Sequence, residues 1–410
     1  MTTNHTQKKA TAGREGILIA LGSSLTIVGS VMVAPMIPKM AQEFGPTTPD
    51  IATLLPLTIT GPALAIALFA PLAGWISDRI GRKKMLIIAT LLYAILGMLP
   101  ALLNDLGDIM ISRLLFGCAE AVIMTCCTAL IADYWHGDER LKFVNFQVIA
   151  IGLIGSIFYV IGGVLGEQSW RSAFYLYLIP LLLIPFMARI LWEPVKNSNA
   201  EAMEPASSDD PTKVAKLTLI VSFLMIFGGM ALNFVVPVQM PSLLVAIGVT
   251  STTQIGLASG ISLLSTLGGS LTWALWRRLF NIGGCNALLM ALVGVGLWLL
   301  ATATTYEQVL FAVIIQGLGA GLMVPNVIAS AMQALPSKVR GRGIGGFTSC
   351  LYLGQFMSPI IVGMLMPFTK GSLTEAITLL AVISLVVAAL WLLAQLFGAK
   401  APRQTEVQPN

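Results

Sequence analysis

The sequence predicts an all-α integral membrane protein of twelve transmembrane helices, arranged as two pseudo-symmetric six-helix bundles. Three observations carry that expectation. Of 410 residues, 56% are hydrophobic and 10% charged, where soluble domains hold about a quarter charged. With a mean hydropathy of +0.85, no soluble core could hide so much apolar surface. The apolar residues fall into twelve runs, most of about 20 residues, the length that crosses a hydrocarbon layer. The two halves also align with each other at a spacing of 200 residues.

The first run, Gly16 to Ile37, is too long for a signal-peptide core and lacks a small-residue cleavage site, so it reads as a helix of the mature protein. Ile51 to Trp75 runs into a charged turn, and Met85 to Leu103 leaves it. Asp108 to Ala132 carries both an Arg and a Glu within the membrane. Phe143 to Gly166 is glycine-rich, and Ser172 to Trp192 closes the first half. Residues 193–216, with Asn197, Asn199, Pro205, Asp209, Asp210 and Pro211, form the least hydrophobic internal stretch and read as a flexible linker. The second half holds Leu217 to Met240, Ser251 to Trp276, Ala287 to Ala303, Glu307 to Leu335, Ile344 to Phe368 and Ser372 to Phe397. The expected division is therefore 1–192, linker 193–216 and 217–410.

The internal match supports a duplication. Gly117 aligns with Gly317, Arg140 with Arg340 and Gly163 with Gly363, while Ser156 and Phe158 approximately mirror Phe356 and Ser358. Parallel halves of this kind place a site at mid-membrane between them. Lys and Arg collect on cytoplasmic loops. With the N-terminus inside, 20 of the 24 fall on the cytoplasmic side, Lys39, Arg171 and Lys370 outside, and Arg113 within the membrane. Both termini are then cytoplasmic. The net charge of +5 is accounted for by topology and contact with anionic lipid, and implies no nucleic-acid partner.

The charged turn is Gly74-Trp-Ile-Ser-Asp-Arg-Ile-Gly-Arg-Lys-Lys84. Its GxxxDRxGRKK pattern resembles the signature loop of the major facilitator superfamily, and the chain as a whole is similar to the twelve-helix drug/proton antiporter group. The resemblance implies alternating access powered by a proton gradient with no other cofactor, a bacterial cytoplasmic membrane, a monomer, and a small-molecule substrate. Gly74 and Gly81 would let the chain turn tightly, with Arg79 and Arg82 on the positive side. By that resemblance Asp78 latches onto the cytoplasmic start of the eleventh helix at Gly341. The alternative is a positive-inside anchor only. Trp276 to Gly284 would be the second copy, without the acid.

In the fourth run, Arg113-Leu-Leu-Phe-Gly117 resembles the family's RxxxG motif, often found in proton-coupled members. Glu120, seven residues on, shares the face of Arg113, about 10 Å further along the axis at 1.5 Å per residue. Both side chains lean towards the helix N-terminus, so a direct salt bridge is not expected. Glu120 is the candidate proton carrier with Arg113 its modulator; the alternative is a pair that only stabilises packing. Asp133 reads as part of a surface cluster with Arg140. In the fifth run Tyr159 replaces the proline of the family's Gly-Pro-x-x-Gly-Gly pattern, which weakens the assignment of export.

Polar residues avoid lipid, and the third, sixth, ninth and twelfth runs are nearly bare of them, which makes those helices outer scaffold. The expected cavity draws on Asn233, Phe234, Gln254, Trp273, Gln316, Asn326, Tyr352 and Gln355, together with Tyr159. A lining of apolar groups with scattered amides suits amphipathic compounds. Both histidines fall outside the runs, there is no HExxH, GxSxG or Walker A sequence, and the five cysteines show no paired metal spacing. An enzyme, a metal centre and direct ATP drive are not expected. Proton-linked import of a small organic acid through Arg113 is the alternative within transport, and a membrane-embedded enzyme, a sensor or a channel the distant alternative outside it.

Overall fold

The computed structural model describes residues 13–49, 51–194 and 215–398; most of the expected linker lies outside them. Among the described residues, twelve helices are long and apolar enough to cross a membrane: α1 (Arg14–Phe44), α2 (Leu54–Ile80), α3 (Arg82–Leu102), α4 (Leu106–Tyr134), α5 (Gly137–Gly166), α6 (Trp170–Ile190), α7 (Lys216–Ala246), α8 (Thr252–Leu279), α9 (Ile282–Thr302), α10 (Tyr306–Gln333), α11 (Val339–Thr369) and α12 (Leu373–Phe397). The fold class is the expected one.

Several helices begin before their apolar runs. Hydropathy marks the hydrocarbon, whereas a helix continues as far as its first orphan amides are capped. Asp105 accepts from the amides of Gly107 and Asp108 at 2.8 and 3.2 Å, starting α4. Asn281 accepts from the amide of Gly284 at 2.8 Å, so α9 starts at Ile282 and not at Ala287. Proline does the opposite inside α1 and α6. A 3₁₀ turn at Ala34–Met36 carries Pro35, and a longer one at Tyr175–Leu182 carries Pro180, because a proline removes an amide from the ladder.

Two apolar cores form. One gathers buried residues from α1 to α6, such as Ile19, Tyr93, Phe116 and Met187; the other gathers α7 to α12, such as Ile226, Leu289, Val313 and Phe347. Within each, two helices cross at backbone contact. A Cβ at Gly117 on α4 would stand 2.5 Å from the Pro62 carbonyl oxygen on α2, and a Cβ at Gly317 on α10 would stand 2.7 Å from that of Ser262 on α8. The duplicated glycines therefore mark duplicated crossings.

The bundles meet along α5 with α8 and α2 with α11. Gly163 and Gly256 let α5 and α8 touch, since a Cβ on either would lie 3.2 Å from the Cα of the other. Ser349 of α11 donates to the Ala67 carbonyl at 3.0 Å. Towards the end that carries the termini, Gly341 and Gly345 of α11 face open space. The bundles thus touch through the α5–α8 and α2–α11 contacts, while these two glycines of α11 meet no neighbour among the described residues.

Candidate transport site and charged loop

Arg113 on α4 is fully buried and held by main-chain oxygens. Its Nε donates to Thr58 O on α2 at 3.1 Å and its Nη2 to Gly29 O on α1 at 2.5 Å; Nη1 lies 3.4 Å from the Tyr177 hydroxyl. Tyr177 itself donates to Gly29 O at 2.7 Å, and the guanidinium carbon lies 4.4 Å from the Phe116 ring centre. Carbonyl dipoles and an aromatic face thereby stand in for water around a buried cation.

Glu120 is also fully buried, yet neither carboxyl oxygen has a hydrogen-bond donor among the described residues. It packs against Gly29, where an added Cβ would collide with its Oε1. Among the described residues no ion pair joins it to Arg113. Both groups therefore bear on one glycine of α1. The Tyr352 hydroxyl of α11 sits 3.0 Å from the sulfur of Met124, one turn beyond Glu120 on α4. The contact spans the two bundles.

The other expected cavity residues divide. Gln316 on α10 donates to Asn233 on α7 at 3.1 Å and keeps a buried, unpartnered Oε1. Phe234 packs against both cores, and Gln355 is buried on α11. Asn326 and Trp273, by contrast, are committed inside the C-terminal bundle. The Asn326 amide donates to Asn286 Oδ1 at 2.8 Å and Ile282 O at 3.1 Å, and its Oδ1 accepts from Trp273 Nε1 at 3.3 Å. Gln254 is exposed in the first turn of α8, where its carbonyl accepts from Tyr306 at 2.8 Å. Tyr159 is buried in the α5–α8 seam, with its carbonyl 2.5 Å from where a Gly256 Cβ would stand.

The charged loop is braced within its own bundle. Gly81 has φ +111°, a conformation that disfavours side chains, and a Cβ there would stand 2.8 Å from the Glu193 carboxyl. That carboxylate accepts from the amides of Arg82 and Lys83, capping α3. Glu193 therefore belongs to the N-terminal bundle and not to a free linker. Gly74 lies within α2, where a Cβ would make an ordinary 3.6 Å contact with Thr125, so no tight turn requires it. Arg82 binds Asp78 at 3.0 Å and also pairs with Asp133, which has no need of Arg140. Arg79 stacks on Trp75 at 3.8 Å. Asp78 is half exposed and bound to Arg82, while Gly341 of α11 faces open space; the expected latch is not engaged in this arrangement.

Sequence reasoning missed Gly29, Thr58 and Tyr177 because they act through a carbonyl or a lone hydroxyl. It missed Glu193 because that residue sits in a polar stretch.

The family model of the Major Facilitator Superfamily matches residues 19–249 and 218–409. The Quinolone resistance protein NorA of Staphylococcus aureus is 26% identical over 210 residues, 48% of this chain and 52% of that protein. The chain thus spans about half the length of these relatives. The 3-(3-hydroxy-phenyl)propionate transporter of Escherichia coli is 23% identical over 317 residues, 74% of this chain and 75% of that protein. Among solved structures, a bacterial homolog to the human lysosomal transporter Spinster, inward-facing and unoccupied, superposes with a TM-score of 0.73 at 14% identity, covering 97% of this chain and 100% of that one. The inward open xylose transporter XylE of E. coli gives 0.72 at 14% identity, covering 95% and 97%. With the sequence matched across both halves, the chain belongs to the major facilitator superfamily, and it shares the fold of these solved transporters.

Proposed function

We propose that this chain exports small amphipathic organic compounds in exchange for protons, as a monomer in the cytoplasmic membrane of a bacterium with both termini inside. The observation that carries the reading is Glu120, a carboxyl group sealed among helices with no donor to either oxygen among the described residues. A carboxylate so placed is costly as an anion, which suits a group that holds a proton in one state and yields it in another. Arg113 positions α1 against it through Gly29. Asn233, Phe234, Gln316, Tyr352 and Gln355 supply the substrate side, where an apolar surface with a few amides and a phenol fits amphipathic molecules. The NorA relatives, named for quinolone resistance, support export.

Import of a small organic acid with protons is favoured by the relative named for 3-(3-hydroxy-phenyl)propionate. It ranks second because a substrate carboxylate would have to displace the carbonyls of Gly29 and Thr58 from Arg113. Inverted vesicles with an acidified lumen separate the two, with a fluoroquinolone and 3-(3-hydroxyphenyl)propionate as probes. Export predicts the probe entering as protons leave; import predicts that both move the same way. In Glu120→Gln, proton-driven accumulation falls about tenfold or more, a barrier change of about 1.4 kcal/mol or more. Accumulation with an unaltered pH profile would remove Glu120 from the coupling.

A further inference from the structure

We propose that Glu167 is a reversible catch that holds the two bundles together at the end remote from the termini, and that lets go when the transporter opens there. The residue follows the last turn of α5, and its carboxylate crosses to the other bundle. Oε1 accepts from the Ser251 hydroxyl at 2.5 Å and from the Thr253 amide at 2.9 Å, both at the start of α8. A helix start offers free amides and partial positive charge to an anion. Those two donors hold the Glu167 carboxyl below the usual carboxylate range, so it is ionised at neutral pH in this arrangement.

The same few residues brace the contact from both sides. Lys39 of α1 donates to the carbonyls of Gly166 and Glu167 at 2.8 and 2.5 Å, satisfying the exposed end of α5. Thr252 of α8 donates to Gly163 O at 2.7 Å. Beneath them lies the Gly163–Gly256 contact, where backbone meets backbone and no side chain can intervene. Glu167 differs from that packed seam in being exposed to water. Its bonds can therefore break without stranding a charge in a dry interior, as a catch that opens in every cycle requires. One exposed carboxylate at a helix start shifts a two-state balance about twofold to fivefold, enough to bias the cycle and too little to jam it.

The inference depends on alternating access and not on which substrate or ion is carried. Hydrogen–deuterium exchange on the intact protein in lipid nanodiscs tests it. In Glu167→Gln, exchange should rise about twofold to fivefold in the first two turns of α8 and the last turn of α5. It should fall by a similar factor at residues 341–346 of α11 as the terminal end closes. A rise confined to Ser251–Ile255 with α11 unmoved would make Glu167 a helix cap and nothing more, and no change at either end would remove it altogether. Ser251→Ala, which keeps the acid and removes one donor, should move both ends in the same directions by less.

Discussion

In the N-terminal bundle α4 crosses α2 at Gly117, and in the C-terminal bundle α10 crosses α8 at Gly317, 200 residues on. The crossings are alike, but their surroundings are not. Arg113 and Glu120 of α4 correspond to Val313 and Ala320 of α10, and all four are buried. One scaffold thus carries a cation and an acid in one copy and two small apolar groups in the other. The glycine follows from packing, whereas the charges were added or lost without disturbing it. The C-terminal bundle buries amides instead, Gln316 with Asn233 and Asn326 with Asn286, which hydrogen-bond in pairs and need no counter-ion.

The comparison breaks most readily at the glycines. Gly117→Val and Gly317→Val should each destabilise their bundle by about 3 kcal/mol or more, because the added carbons meet a carbonyl of the neighbouring helix and not a movable side-chain tip. Thermal unfolding in detergent reads the effect. Equal losses support a shared crossing; a large loss in one half alone would mean that the copies have diverged in packing as well as in charge.

Asn326→Ala tests the amide side at a smaller scale. It strands Asn286 and the Trp273 indole, with an expected cost of about 1–3 kcal/mol. Transport per folded molecule should survive, since Asn326 is committed to Asn286 and Ile282 of α9. Loss of transport at unchanged stability would return Asn326 to the cavity.

How much of this was legible depended on what kind of atom does the work. The fold was readable because a hydrocarbon layer demands long apolar helices and nothing else in the chain competes with that signal. The Gly117–Gly317 crossing was readable from the repeat. Asn286 was not, because it precedes the apolar run that begins at Ala287, whereas the helix itself starts at Ile282. Gln254 was placed in the cavity on polarity alone, although one turn from a helix start polarity marks the membrane surface. Gly29 carries no sequence signal: its part is played by a carbonyl and by the absence of a side chain.

The smallest effect separates the two charged loops. Both are braced by the end of the sixth helix of their bundle: Glu193 reaches the start of α3, and Gln395 of α12 reaches Asn281 at the start of α9. Only the first loop adds Asp78, Arg82 and Asp133. Among the described residues Asp78 pairs with Arg82, and an exposed pair of that kind is worth about 0.2–1 kcal/mol, so Asp78→Asn should barely change the melting temperature. If Asp78 also engages the start of α11 when the terminal end closes, the same substitution removes a contact present in one state only. Turnover in proteoliposomes should then fall several-fold while the substrate concentration at half-maximal rate stays near its original value. Unchanged turnover would leave the acid as a partner of Arg82 alone, and the two loops would then differ in charge without differing in mechanism.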